Sequence, residues 1–145
     1  ATIAINFPQD MQRLSFTSFG HPDEWKTEGV AQPSFFGDWT QNYQKPDRTI
    51  IAPAPGIDAI LTYDAFKVIV QAISSVHGQV TGATIRTALA SLGTGNVPAY
   101  QGISGKIYFD SKGNPVSKAV VVLTVRPDAS GTNQITLLQV AGVFK

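Results

Sequence analysis

One long apolar segment constrains the fold of this chain more than any other feature. Between Ile57 and Val76 apolar side chains recur three and four positions apart, which predicts an α-helix. Most of the other residues in the segment are also small or apolar, so we expect this helix to be buried on more than one side. Asp58 is a candidate N-cap, and Gly78 stands just past the predicted end. The predicted apolar stripe consists of Leu61, Ala65, Val68, Ile69, Ala72, Ile73 and Val76.

Shorter helices are predicted on either side of this segment. Thr81 is placed to cap a helix from Gly82 to Leu92, which Gly93 would end. Upstream, "PDEWKTEG" (22–29) predicts one short helix and "PSFFGDWTQNYQ" (33–44) predicts another. The second carries aromatic residues about a helical turn apart, and core packing is the simplest interpretation of that stripe. Its members are Phe35, Phe36, Trp39 and Tyr43.

Strand patterns lie at both ends of the chain. Ala1–Phe7 alternates like a strand, and a chain that opens in this way is typical of part of a longer protein. Three more candidate strands follow the helices, at Ser104–Asp110, Lys118–Arg126 and Gln134–Phe144. Turn-forming residues separate them, which predicts a three-stranded antiparallel meander. We therefore expect a single α/β domain over residues 1–145, with two main helices and a C-terminal meander.

The loop between the first two of these strands is the one segment that resembles a cation site. Asp110 opens "DSKGNP", but Lys112 occupies the third position, where a calcium loop needs an oxygen ligand, and no glutamate follows. We interpret the loop as a hairpin corner. Asp110 would bind backbone amides there, and Gly113 or Asn114 would take the positive φ of the turn.

Composition excludes several classes of function. The chain has no cysteine, which removes disulfides, thiolate–metal sites and thiol catalysis. His21 and His77 stand in separate segments beside turn residues, so we expect both at the surface and no metal site. Basic residues are scattered, which argues against nucleic acid as a partner. No nucleophile elbow or phosphate-binding loop occurs, so no catalytic residue and no cofactor are expected. Charged residues make up only 14%, which indicates a surface partly covered by a partner or by more chain.

Three stretches, taken in order, resemble one known family. They are "GIDAILTYDAFKVIVQAI", "TGATIRTALASL" and "YQGISGKIYFDSKGNPVSKAVVVLTV". The shared elements are Tyr63-Asp64-Ala65, Arg86-Thr87-Ala88-Leu89 and the hairpin Gly105–Gly113. In this order and spacing, residues 56–126 resemble the closing part of type I periplasmic solute-binding proteins, most closely the branched-chain amino acid receptors of ABC importers. The opening "ATIAINFP" is similar to the family strand that leads out of the second lobe.

The resemblance implies a two-lobed α/β protein that closes on a small polar solute. Members of the family are considerably longer, so this chain would correspond to their C-terminal part. Carried over by position, Ile60 stands three residues before the family tyrosine and would face the solute. Asp58 and Tyr63 lie near the same helix start and would approach the cleft. For Ile60 and Tyr63 the alternative is core packing, and for Asp58 it is the N-cap.

Three functions are compared on this basis. The first is an extracellular or periplasmic solute-binding component of an ABC importer, membrane-anchored when full length, with a permease as partner. Its solute would be a branched-chain amino acid or a related amide, and this part alone would bury its open faces as a homodimer. The second is a ligand-sensing domain of a receptor or regulator with the same fold, which neighbouring genes would distinguish. The third is a small hydrolase, against which the lack of a nucleophile–base pairing argues.

Overall fold

The computed structural model describes residues 8–43 and 55–142, and the predicted strand at Ala1–Phe7 lies outside them. The described residues form a mixed α/β structure of helices and antiparallel sheets. The helices are α1 (Pro8–Met11), α2 (Glu24–Thr27), α3 (Ser34–Asn42), α4 (Ile57–Ser75) and α5 (Gly82–Ser91). The strands are β1 (Ser15–Ser18), β2 (Tyr100–Gly102), β3 (Gly105–Ile107), β4 (Val120–Pro127) and β5 (Asn133–Ala141).

Helix α4 forms where the apolar spacing predicts it, but its buried face overlaps the predicted stripe only in part. The buried residues of α4 are Ile60, Asp64, Val68 and Ala72, of which Val68 and Ala72 belong to the stripe. Two other members of the stripe, Ile69 and Ile73, are 44% and 38% exposed. The prediction was partly wrong because a helix that is apolar nearly all round has no single face set by its own pattern.

The predicted N-cap of α4 was also wrong. The N-cap is Gly56, no side chain caps the helix there, and Asp58 lies within the first turn. A carboxylate in the first turn still interacts favourably with the partial positive charge of a helix N-terminus. Asp58 therefore stabilises the helix start without capping it.

A second apolar face of α4 is left open in the described structure. Phe66 is 65% exposed, and Val70 is 40% exposed one turn further on. Together with Ile69 and Ile73 they stand at positions i, i+3, i+4 and i+7, which share one side of a helix. At 100° per residue this side is opposite the buried face. Among the described residues α4 is therefore buried on one side, and the expected burial of a second side is not observed there.

Helix α5 begins as its cap residue predicts. The Thr81 Oγ1 accepts a hydrogen bond from the Thr84 N–H at 3.2 Å, and the Thr84 Oγ1 accepts one from the Thr81 N–H at 2.9 Å. This reciprocal capping box satisfies amides that the helix itself leaves open. Gly93, just after the end, has a φ of +74°. The short helices α2 and α3 also lie within their predicted segments.

The predicted meander was wrong in its pairing. Strands β4 and β5 pair antiparallel as expected, but the other neighbour of β4 is β1, with Phe16 opposite Leu123. Strand β3 pairs instead with β2. Beyond β3 only a single bridge joins Phe109 to Pro115. The hairpin hydrogen bonds extend to Val116, whose N–H donates to the Tyr108 carbonyl oxygen at 3.0 Å. Ser117 follows with a φ of +49°, so the chain leaves the hairpin before β4 begins.

The hairpin corner at Asp110 is confirmed. Its Oδ1 accepts hydrogen bonds from the Lys112 and Asn114 N–H groups, both at 2.8 Å, and Gly113 takes the positive φ of +86°. The Asn114 side-chain amide also donates to the Asp110 Oδ2 at 3.0 Å, and this bond and the backbone bonds lower the pKa of Asp110. The β4–β5 connection repeats the arrangement, with the Asp128 Oδ1 accepting from the Ser130 N–H at 2.8 Å and from the Thr132 N–H at 3.0 Å. Both loops are self-contained turns.

A small core joins three helices to the β2–β3 turn. Phe36 of α3, Ile60 of α4 and Ile103 of the turn are buried against one another. Trp25, Phe35 and Tyr63 pack around them. This core positions the start of α4, where the three residues predicted to contact a solute lie.

Candidate functional site

The β2–β3 turn, residues 102–105, is buried along its whole length. Buried backbone groups must find hydrogen-bond partners, and Asp64 of α4 supplies two of them. Its Oδ1 accepts from the Ile103 N–H at 2.6 Å, and its Oδ2 accepts from the Ser104 N–H at 2.8 Å. The Ser104 hydroxyl also donates to the same carboxyl. A Cβ on Gly102 would lie 2.7 Å from the Asp64 carboxyl, so this close approach requires glycine.

Two further side chains satisfy the carbonyl groups of the same turn. The Trp25 Nε1 donates to the Ile103 carbonyl oxygen at 2.9 Å. The Lys118 Nζ donates to the Ser104 carbonyl oxygen at 2.5 Å and to the Ser104 Oγ at 2.6 Å. The turn is thus held by α2, by α4 and by the segment before β4. We call the four side chains Glu24, Asp64, Ser104 and Lys118 the buried polar cluster.

Glu24 is the exception in this cluster. It is fully buried, and neither carboxyl oxygen has a hydrogen-bond partner among the described residues. Burial raises the pKa of Glu24 to about 8, against smaller opposite effects of the His21 backbone and of Lys118. Burial likewise lowers the pKa of Lys118, while Asp64 and Glu24 oppose that shift. The protonated form of Glu24 is therefore favoured at neutral pH.

The buried polar cluster is better suited to holding the turn than to nucleophilic chemistry. The Ser104 hydroxyl receives a hydrogen bond from Lys118 and donates its proton to Asp64. Ser104 is also fully buried, so it has no surface open to a substrate. Both amides that would stabilise an oxyanion at this point, those of Ile103 and Ser104, are already bonded to Asp64.

An apolar cavity of about 580 Å³ lies beside this cluster. Leu61, Val68, Leu89 and Phe109 are among its apolar wall residues, and Asp64, Ser104 and Lys118 form its polar part. These polar groups bond to one another, so they have little capacity left for a ligand.

A second concave surface contains two of the three residues predicted to contact a solute. Asp58 and Tyr63 line it together with Ala59 and Thr62 of α4. The opposite wall comes from α3 and the residue after it, and consists of Phe35, Asp38, Trp39, Asn42 and Tyr43. The concavity has a volume of about 590 Å³. We call it the aromatic concavity.

The third residue, Ile60, is placed elsewhere. It is fully buried in the core against Phe36 and Ile103, and it does not line the aromatic concavity. Gly20 packs on the same side chain, since a Cβ there would lie 3.3 Å from the Ile60 Cγ2. Ile60 therefore packs in the core, which was the alternative interpretation of this residue. A solute contact at this position stays a prediction.

The aromatic stripe of α3 divides between core and concavity. Phe36 is buried and packs on Ile60, as the core interpretation requires. Phe35 and Trp39 are half-buried, and Tyr43 is 45% exposed. These three side chains line the aromatic concavity. Core packing therefore accounts fully for only one residue of the stripe.

The histidines are placed differently from one another. His77 is exposed as expected, whereas the side chain of His21 is only 15% exposed, so that expectation was wrong. The His21 Nδ1 accepts a hydrogen bond from the Asp23 N–H at 3.2 Å, and burial lowers the pKa of His21. Within residues 8–43 and 55–142, no group of three or more His, Asp or Glu side chains is arranged to hold a metal ion.

Comparison with known proteins adds no relative. No protein-family model matches the chain, and no curated protein is significantly similar to it. Among the helices of the described part, none combines the length and apolar content needed to cross a membrane.

The buried polar cluster was missed by sequence reasoning, although one signal for it was present. Asp64 stands four residues after Ile60 and four before Val68, so it shares their helix face. A carboxylate in the middle of an apolar face indicates a buried, hydrogen-bonded group. Its partners are remote in sequence, with the turn 39 and 40 positions away, and local patterns do not identify them.

Proposed function

We propose that this chain is the C-terminal part of a two-lobed, type I solute-binding protein that serves an ABC importer. The resemblance of residues 56–126 to that family supports the proposal. The observation that carries it is the aromatic concavity, because Asp58 and Tyr63, two positions taken from the resemblance, line one concave surface. The fold would then be part of the type I periplasmic-binding-protein fold.

The aromatic concavity has the properties of a small-molecule site. Its volume of about 590 Å³ falls within the range of such pockets in proteins. Aromatic rings supply most of its apolar surface, and the side chains of Asn42 and Thr62 add neutral polar groups. Branched-chain amino acids and related amides are the solute class that the resemblance implies.

The open face of α4 is a further argument for a companion lobe. Phe66, Ile69, Val70 and Ile73 form an apolar row opposite the buried face of the helix. In the proposed full-length protein this row packs on the first lobe. Solute binding would then favour the closed arrangement of the two lobes, which a membrane permease recognises, and no covalent bond would be made or broken. The protein would work outside the cytoplasmic membrane, tethered to it when full length.

Solute binding at the aromatic concavity is tested by calorimetric titration of the chain with a panel of amino acids and amides. We expect at least one member to bind, and Tyr63→Ala to weaken its affinity about tenfold or more, because an aromatic wall of the site is removed. Phe66→Ala removes an exposed aromatic from the same helix outside the concavity and should leave the affinity unchanged. Equal losses from both variants, or no binding by any panel member, would contradict the proposal.

Self-association of the chain is a second expected outcome. With no companion lobe present, the open face of α4 should pair with a second copy, so light scattering at micromolar concentration should give the mass of a dimer. Val70→Glu places a charge in this face and should yield a monomer. Gln71→Glu adds the same charge to α4 outside the face and should remain dimeric. A monomeric unmodified chain would refute this expectation.

A further inference from the structure

We propose that the solute held in the aromatic concavity is a small organic cation, a quaternary ammonium or protonated amine, rather than a neutral or zwitterionic amino acid. This inference rests on the proposed solute-binding function and narrows its substrate class. Four aromatic rings and two carboxylates line the concavity, and none of its lining residues in the described ranges 8–43 and 55–142 is basic.

The rings form two contacting pairs, one within the α3 wall and one between α3 and α4. Trp39 and Tyr43 stack with ring centroids 4.2 Å apart, and Phe35 contacts Tyr63 across the two helices at 4.6 Å. Phe35 and Trp39 connect the pairs at 6.2 Å. Aromatic faces carry partial negative charge, and a cation within about 6 Å of a ring centroid is attracted by it. A group of four rings therefore favours a positively charged solute.

The charges around the rings also favour a positively charged solute. Asp38 of α3 and Asp58 of α4 are both exposed and line opposite walls of the concavity. The N-terminus of α4 contributes about half a positive charge, which the Asp58 carboxylate more than offsets. A cation between the walls interacts favourably with both carboxylates, whereas the carboxylate of an amino acid is repelled by them.

One cation of the chain itself already lies near these rings. The Lys67 Nζ is 6.0 Å from the centroid of the Tyr63 ring. This is close to the outer limit for a cation–aromatic attraction, and Lys67 does not line the concavity. The ring of Tyr63 is thus accessible to a positive group, while the space between α3 and α4 is left for a solute.

A neutral aliphatic solute would fit this surface less well. It would bury against the rings, but it would also displace water from Asp38 and Asp58 and offer no charge in return. Removing water from a carboxylate without a compensating partner is unfavourable. A quaternary ammonium group offers apolar methyl groups to the rings and a positive charge to the carboxylates.

The test compares choline with its neutral carbon isostere, 3,3-dimethylbutan-1-ol, in titrations of the full chain at low ionic strength. Trp39 fluorescence reports occupancy, and Trp25 contributes a separate signal because its indole N–H is bonded to the Ile103 carbonyl oxygen. We expect choline to bind at least about tenfold more tightly than the isostere, since only choline carries the charge. Asp38→Asn and Asp58→Asn should each weaken choline binding about threefold to tenfold.

Matched variants distinguish the cation inference from the broader proposal. Asp10→Asn removes an exposed carboxylate away from the concavity and should leave choline affinity unchanged. If branched-chain amino acids bind as tightly as choline and Tyr63→Ala weakens them, the cation inference is overturned while the solute-binding proposal stands. If choline and the isostere bind equally, or if neither alters Trp39 fluorescence in the folded chain, the cation inference is likewise overturned.

Discussion

Replacing Asp64 by asparagine is expected to lower the free energy of unfolding by about 3–5 kcal/mol, the cost of removing one partner from a buried charged network. The Asp64 carboxyl accepts bonds from two backbone N–H groups and from the Ser104 hydroxyl. An amide group turns an NH₂ toward one of these donors and removes the charge that interacts with Lys118. Urea unfolding followed by circular dichroism measures the loss.

Asp58→Asn is the matched control for this substitution. It makes the same chemical change six residues earlier on α4, where the side chain is exposed, and it should cost no more than about 1 kcal/mol. The double variant Asp64→Asn/Lys118→Met should cost less than the sum of its two single variants, because each single change already removes the attraction between these two charges. Equal costs at Asp58 and Asp64 would contradict a structural role for the buried polar cluster.

Glu24 is expected to make folding stability fall as the pH rises. Its pKa is raised from an ordinary value of 4.5 to about 8 in the folded chain. Below pH 4.5 Glu24 is protonated in both the folded and the unfolded state, so it does not make folding stability depend on pH. Between the two values the folded state retains a proton that the unfolded state has lost, so stability falls by up to about 1.4 kcal/mol per pH unit. Above about pH 8 the loss is complete.

Glu24→Gln tests this dependence directly. Glutamine resembles the protonated acid and does not titrate, so the slope that Glu24 contributes between pH 4.5 and 8 should disappear. The variant should equal the unmodified chain in stability near pH 4.5 and exceed it by several kcal/mol at pH 8. Glu28→Gln makes the same change four residues later and should keep most of the slope. Parallel stability–pH curves for the unmodified chain and Glu24→Gln would refute the assignment.

Features governed by neighbouring residues were predicted well from the sequence. The Thr81 cap depends on an amide three positions away, and the corner at Asp110 depends on amides two and four positions away. In such cases both partners of the hydrogen bond lie within a few residues, so the residue type and its spacing are enough to predict it. The existence of α4 belongs to the same group, since its apolar spacing extends over 19 residues.

Features set by distant contacts were not predicted. The buried face of α4 is fixed by Asp64 bonding a turn about 40 residues away, and the helix is apolar enough for other faces to look equally suitable. The pairing of β1 with β4 joins residues more than 100 positions apart, such as Phe16 and Leu123. The aromatic concavity likewise depends on α3 lying beside α4, which brings Phe35 to Tyr63.

The buried turn at residues 102–105 has a mechanical consequence. Side chains from α2, α4 and the segment before β4 are bonded to its few peptide groups, so none of these segments can move relative to the turn without breaking a buried hydrogen bond. The assembly should consequently shift as a single rigid body. Tyr63 is adjacent in the chain to Asp64, so a force applied to its ring is transmitted to this whole body rather than dissipated in local flexing.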